Sequence, residues 1–242
     1  MGRILGIAAI ALLLNGCRTA QQNAPISFDP MSLGPAGVPL KKYFERKSSG
    51  PAENLVQVFH VKITASIPNM EKQGEMIAEK TQAHSGEISY EMQSYNGDNT
   101  IKKDVIGRYL SSEQETSKLP SIGITAQNYR FKFKRRDSLP EHTAIVYDLS
   151  PRKDQVGFFK GELWLDEDSG LPLRETGRLT KNPSVIFKTL DFTRDYAIKD
   201  GTVYLAKFVS EANTRIIGKV LLTMEFEAPK TMKEGLAKAA GF

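Results

Sequence analysis

The chain offers few residues suited to chemistry. Its one cysteine, Cys17, follows a short apolar run, Ile4 to Leu14, with Arg3 ahead of it. With no second cysteine, no internal disulfide can form. The three histidines, His60, His84 and His142, fall on an outward strand position, before a turn and at a strand start. Their spacing suggests no metal pair on one strand. Asp166-Glu167-Asp168-Ser169-Gly170 begins like a calcium loop, but Gly177 stands where the closing ligand belongs and the glycine comes one residue early. That segment is expected to be an acidic hairpin tip. No phosphate loop, dinucleotide fingerprint or G-x-S-x-G motif occurs, and no motif groups Ser, His and Asp into a triad. Lys132, Lys134, Arg135 and Arg136 form the densest basic run, either a solvated strand face or a patch facing anionic headgroups. The expectation is no cofactor, no metal site and no enzymatic activity.

Leu14-Asn15-Gly16-Cys17, with the apolar run before it, resembles a bacterial lipoprotein signal peptide and its lipobox. The run is about half the ~20 residues of a membrane-spanning helix and matches the apolar region of an export signal. The resemblance implies cleavage before Cys17, a diacylglycerol on its sulfur and an acyl chain such as palmitate on its new amine. Residues 1–16 are then the signal peptide, and the mature protein is a lipid-anchored body in the bacterial envelope. Arg18 follows Cys17 in place of the acidic residue linked to inner-membrane retention, which implies the outer membrane, facing the periplasm.

The remaining chain is long enough for one large domain or two small ones. Hydrophobic residues make up 40% and charged residues 25%, ordinary for a protein with a real core. The formal charge of +5 is spread along the chain. For an exported protein it points to anionic membrane lipid and not to nucleic acid.

Residues 17–50 are expected to form a polar tether, to about residue 37, and one short helix. The tether lacks periodicity and is rich in Gln, Asn, Pro, Ser and Gly. The helix is predicted from Pro39 to Lys47, with Leu40, Tyr43 and Phe44 on one side. From Leu55 the period becomes two. Phe59, Val61, Ile63, Ala65 and Ile67 alternate with polar residues, as do Ile88, Tyr90 and Met92. Asn96-Gly97 predicts a hairpin followed by a strand from Thr100 to Leu110. Residues 111–127 are expected to be a loop or short helix. Tyr129, Phe131 and Phe133 alternate with bases, and further strands are predicted over 143–149, 158–166, 171–179, 185–197, 203–209 and 215–226. Ten or eleven strands at hairpin spacing predict an all-β fold, a large curved antiparallel sheet or open half-barrel with one or two short helices, over residues 51–229. Residues 230–242 are expected to be a tail with one frayed helix.

Phe159-Lys160-Gly161-Glu162-Leu163-Trp164-Leu165-Asp166, then Ser169-Gly170-Leu171-Pro172-Leu173-Arg174, resembles the outer-membrane lipoprotein-sorting group, the LolA/LolB-like fold. The likeness extends through Asp195-Tyr196 and the turn at Asp200-Gly201. It lacks that group's early Arg-Pro pair and has few residues for lid helices. The resemblance implies a curved sheet whose apolar concave face holds lipid, lipoprotein acyl chains or another apolar ligand. The anchored member of the group is an acceptor, not a diffusing shuttle. Candidates for that face are Phe59, Val61, Ile63, Tyr90, Met92, Tyr129, Phe131, Phe133, Leu163, Leu165, Val220, Leu222 and Met224. Alternation of this kind also describes a packed core. A second expectation is a non-enzymatic envelope scaffold or sensor that binds a protein partner.

Overall fold

The computed structural model describes residues 28–49, 55–83, 85–116, 123–199 and 201–233. The signal peptide, Cys17, most of the tether and His84 lie outside these residues. Ten strands form one antiparallel sheet in the order β3-β2-β1-β10-β9-β8-β7-β6-β5-β4, and an eleventh pairs with β1. They are β1 (Leu55–Ile67), β2 (Lys72–Gln82), β3 (Ile88–Gly97), β4 (Tyr129–Leu139), β5 (His142–Pro151) and β6 (Phe159–Asp166). Then come β7 (Pro172–Leu179), β8 (Phe187–Lys199), β9 (Thr202–Thr214), β10 (Lys219–Phe226) and β11 (Lys230–Lys233). From β1 to β10 neighbours in sequence are neighbours in the sheet, except β3 and β4, which lie at its two ends, and β10 also pairs with β1. This joins the first three strands to the other six. β3 and β4 stay unpaired with each other, so the half-barrel is open, as the strand pattern predicts.

The curvature has a local cause. One row across the concave face runs Phe131, Leu149, Gly161, Gly177, Phe192, Ser210, Leu222, Ala65, Gly74 and Gly97. Small residues fill much of it. A Cβ on Gly161 would lie 1.9 Å from the Thr176 carbonyl oxygen, and one on Gly177 2.6 Å from the Phe159 ring. Only hydrogen at these two positions lets β6 and β7 close so tightly. Register shifts in β2–β3, β4–β5, β6–β7 and β8–β9 add local bends.

Helices line the concavity. A 3-10 segment, Pro30–Ala36, leads into α1 (Gly37–Ser49). Leu40 and Tyr43 of α1 are buried, and Phe44 packs edge-on against Phe131 at 5.3 Å. Packing begins before the helix. Phe28 stacks on Phe131 at 5.7 Å, and the Tyr147 hydroxyl donates to the Ala36 carbonyl at 2.5 Å. Composition assigns residues 28–36 to an unpacked tether; three apolar residues there, Phe28, Leu33 and Ala36, pack on the core instead.

The largest departure is at residues 100–110. Where a strand is expected, the chain forms a π-helical segment, Ile101–Gly107, running into α2 (Arg108–Thr116). Ile101, Val105, Ile106, Tyr109 and Leu110 make a helical stripe that packs on the core, a period of about four. Asn96-Gly97 is the end of β3 and not a hairpin. Gly97 at φ 127° passes close to the Gln73 carbonyl, and Asp98 then accepts the Thr100 N–H at 2.6 Å. Two smaller departures concern the C-terminal region. Residues 215–218, expected in the last strand, turn before β10, leaving Ile216 73% exposed. Lys230–Lys233 extend as β11 on β1, not as helix. Among the described residues no helix is long and apolar enough to cross a membrane.

Candidate functional site

The row beside the glycine row carries the site. It runs Phe133, Tyr147, Leu163, Glu175, Arg194, Phe208, Met224, Ile63, Met76 and Tyr95 across ten strands. Eight of the ten residues on this row are aliphatic or aromatic, and its only ions, Glu175 and Arg194, stand side by side in the middle. Arg194 Nη1 donates to Glu175 Oε2 at 3.1 Å, and its guanidinium lies over the rings of Phe192 and Phe208, at 4.7 and 5.7 Å. The Tyr196 hydroxyl hydrogen-bonds Glu175. Burial alone would lower the Arg194 pKa; Glu175 and the neighbouring phenols outweigh it and raise it, so the guanidinium stays charged. Burial, and then Glu175, push the Tyr196 phenol well up, so it stays a neutral donor.

Two helices flank this polar floor. On one side α1 brings Tyr43 and Lys47 toward Glu175; burial lowers the Lys47 pKa, and Glu175 opposes that shift. On the other, Tyr109 of α2 stacks on Phe208 at 5.4 Å. The floor between them stays accessible. Arg194 is surrounded by protein, yet its side chain keeps 39% of its surface open. Leu190, Tyr196 and Leu205 are likewise only half-buried. The result is a slot over β8 and β9, lined by Leu190, Tyr196 and Leu205 and floored by one ion pair, with Phe192 and Phe208 buried beneath it.

A polar tie pins α2 over its end of the face. Glu113 accepts from Lys80 Nζ at 2.8 Å through one oxygen and from the Tyr90 hydroxyl at 2.6 Å through the other. Lys80 also lies over the Tyr90 and Phe226 rings.

The structure separates the predicted face into three groups. Phe59, Val61, Ile63, Tyr129, Phe131, Leu163, Leu165, Leu222 and Met224 are buried in one core beneath the helices. Tyr90 and Val220 are half-buried against that core. Met92 and Phe133, 47% and 41% exposed, lie outside it near the sheet edges. The face is therefore not left uncovered for want of helices, and its accessible part is the slot. Sequence reasoning missed Lys47, Tyr109, Glu175, Arg194 and Tyr196. One signal was available: Phe192, Arg194 and Tyr196 share the inward phase of β8, and a charge between two aromatics on an inward face needs a partner.

The other candidates resolve into structural pairs. Lys134 bridges Asp148 and Glu162, Arg135 pairs with Asp137 and Glu162, and Arg136 pairs with Glu167, so most of the basic run is neutralised on the outer face. Trp164 lies between Arg135 and Arg174 and donates to Glu162 at 2.8 Å. At the β6–β7 tip, Asp166 accepts from Ser169 N and Oγ and meets His142 Nδ1 at 2.9 Å. This caps the hairpin turn. Two open grooves, of about 650 and 670 Å³, lie at Thr176–Asp191–Thr193 and between α1 and two hairpin tips. Neither gathers converging groups.

No protein-family model and no curated protein matches the sequence. Solved structures resemble the chain at low identity. One is a LolA superfamily protein from Nitrosomonas europaea, at 12% identity and TM-score 0.39, covering 81% of this chain and 92% of that one. A domain assigned to outer membrane lipoprotein sorting, from Vibrio parahaemolyticus, is 13% identical with TM-score 0.44, over 82% and 94%. MucB is 14% identical with TM-score 0.29, over 78% and 92%. The fold of this chain rests on its own strand order, not on these likenesses.

Proposed function

We propose that this chain is a lipid-anchored protein of the bacterial envelope that binds an apolar chain on the concave face of its sheet, without catalysing a reaction. The observation that carries this reading is the slot between α1 and α2. There the row is accessible at Arg194, above the buried rings of Phe192 and Phe208 and beside Tyr109. An acyl chain taken from water onto the sheet gains about 0.8 kcal/mol per CH₂ buried, about what the bilayer gives it. More room opens if α2 moves, because α2 is short and its stripe covers the same row. Cys17, as the proposed anchor, would hold the slot within reach of membrane lipid.

The test is native mass spectrometry of the protein extracted from its own membranes. Co-purifying lipid or lipoprotein supports the reading, and its loss in a Tyr109→Trp variant that narrows the slot places it there. Protein that carries no lipid, and takes up none from vesicles, refutes it.

A second reading, a scaffold or sensor that binds a protein, has one observation in its favour. Edge strand β4 is guarded by a run of Lys and Arg, as edges usually are, whereas edge strand β3 carries a single charge, Glu91. A protein partner in the same spectra, lost when Met92 is replaced by Lys, would favour that reading.

A further inference from the structure

The polar floor of the slot holds more positive than negative charge. Among the described residues Arg194 pairs with Glu175, Lys47 of α1 feels the Glu175 charge while its Nζ donates to the Ile124 carbonyl at 3.4 Å, and Lys80 is already matched by Glu113. Glu175 is one carboxylate, 10% accessible, and it also takes the Tyr196 hydroxyl. One cation is therefore in excess. Arg194 has the donors to use it. A guanidinium carries five N–H groups in a planar fork, and the Arg194 hydrogen bond among the described residues is the one from Nη1 to Glu175. Its side chain keeps 39% of its surface open.

These facts constrain the occupant. A wholly apolar chain laid along the row would strip water from the open edge of a charged guanidinium and return nothing, which is costly. A ligand with a positive head would meet the excess cation. A single negative group restores both hydrogen bonding and charge balance, in the manner of charge-assisted pairs.

We infer that the slot takes a single-chain amphiphile with a monoanionic head, a carboxylate or a phosphodiester, its head on Arg194 and Lys47 and its chain along half-buried Leu190, Tyr196 and Leu205. This rests on the apolar-chain reading above and adds the chemistry of the head. Phe192 and Phe208, buried beneath the guanidinium, and Tyr109, stacked on Phe208, support the site, and Glu175 holds Arg194 in place without neutralising it.

The experiment uses the full chain carrying Cys17→Ser, so that neither an acyl anchor nor detergent competes. Binding of doxyl-stearic acid and of its methyl ester is followed by electron paramagnetic resonance, which reads the bound fraction directly. The acid should bind roughly tenfold more tightly than the ester, the worth of one charge-assisted hydrogen bond. Arg194→Met should bring the ratio of the two affinities close to one. Glu175→Gln, which enlarges the charge excess, should move the ratio the opposite way; the pair of variants keeps the test sound if one folds poorly. Inorganic phosphate alone should bind much more weakly than the acid. Phosphate binding as tight as the acid would assign the slot to a free anion and overturn the amphiphile. Equal binding of acid and ester by the unsubstituted slot overturns the anionic head but leaves the apolar-chain reading standing. Binding of neither probe overturns both.

Discussion

Replacing Glu113 with Ala is the sharpest probe of how the concave face opens. Lys80 is buried, with only 6% of its side chain accessible, and Glu113 holds it at 2.8 Å while also accepting the Tyr90 hydroxyl at 2.6 Å. Without the carboxylate, and with α2 held in place, a buried ammonium would lose its counterion, a loss that typically costs about 3–5 kcal/mol. The protein has a cheaper alternative. α2 is nine residues long and its main apolar anchor on this face is Tyr109 on Phe208. Detaching it forfeits the burial of that ring, about 2–3 kcal/mol, and lets water reach Lys80. The smaller cost wins, so the variant should lose about 2–3 kcal/mol in urea unfolding. It should lose it locally: hydrogen exchange over residues 108–116 should accelerate sharply while β5 to β7 keep their protection. Removing the stranded charge as well, in Glu113→Ala with Lys80→Met, should restore more than half of the loss. A full cost of 4–5 kcal/mol with no selective exchange in α2 would refute the reasoning, as would a double variant that recovers nothing.

Other outcomes follow from the same contacts. Hydrogen bonds from Arg135, Lys134 and Trp164 outweigh desolvation and hold the Glu162 carboxyl at about 2, below its ordinary value near 4.5. Because the folded value is the lower one, this stabilisation is present above the ordinary value and disappears as pH falls from about 4.5 toward 2. Acid unfolding should therefore show about 2 kcal/mol of it, discounted for screening, and Glu162→Gln should remove that portion of the pH dependence. Gly161→Ala should prevent stable folding or cost more than about 3 kcal/mol, since backbone and not a movable side chain meets the new Cβ; a melting temperature within a few degrees of the parent would show that β6 and β7 can part. Cys17→Ser should release the protein from membranes or leave it unprocessed, by fractionation and blotting. Normal membrane retention of a processed variant would sink the anchor.

The strand pattern was legible because it is local. Alternation in Phe59 to Ile67 or Tyr129 to Phe133 follows from the backbone period of two, whatever lies on either side. The same locality misled the reading at Asn96-Gly97. A turn-forming pair there is equally compatible with a strand end, and only the spacing of Ile101, Val105, Ile106 and Tyr109 argued for helix. Short apolar runs do not separate the two periods well. The Lys132–Arg136 run shows a second limit: its charges are countered by Asp148, Glu162 and Glu167 on other strands, partners that no local window contains.

The sequence by itself determined the inward phase of most strands, the short helix after the proline-rich segment, the hairpin at Asp166 to Gly170, and the isolation of Cys17 ahead of the domain. The tertiary structure decided what those inward residues face. Antiparallel register set Glu175 opposite Arg194 at the centre of an apolar row, and the placement of α1 and α2 decided that most of the predicted face is core while the row's charged centre stays open. Register and helix docking depend on contacts between residues far apart in the chain. Such contacts bury surface jointly, and that gain exists only once the sheet has closed around its helices.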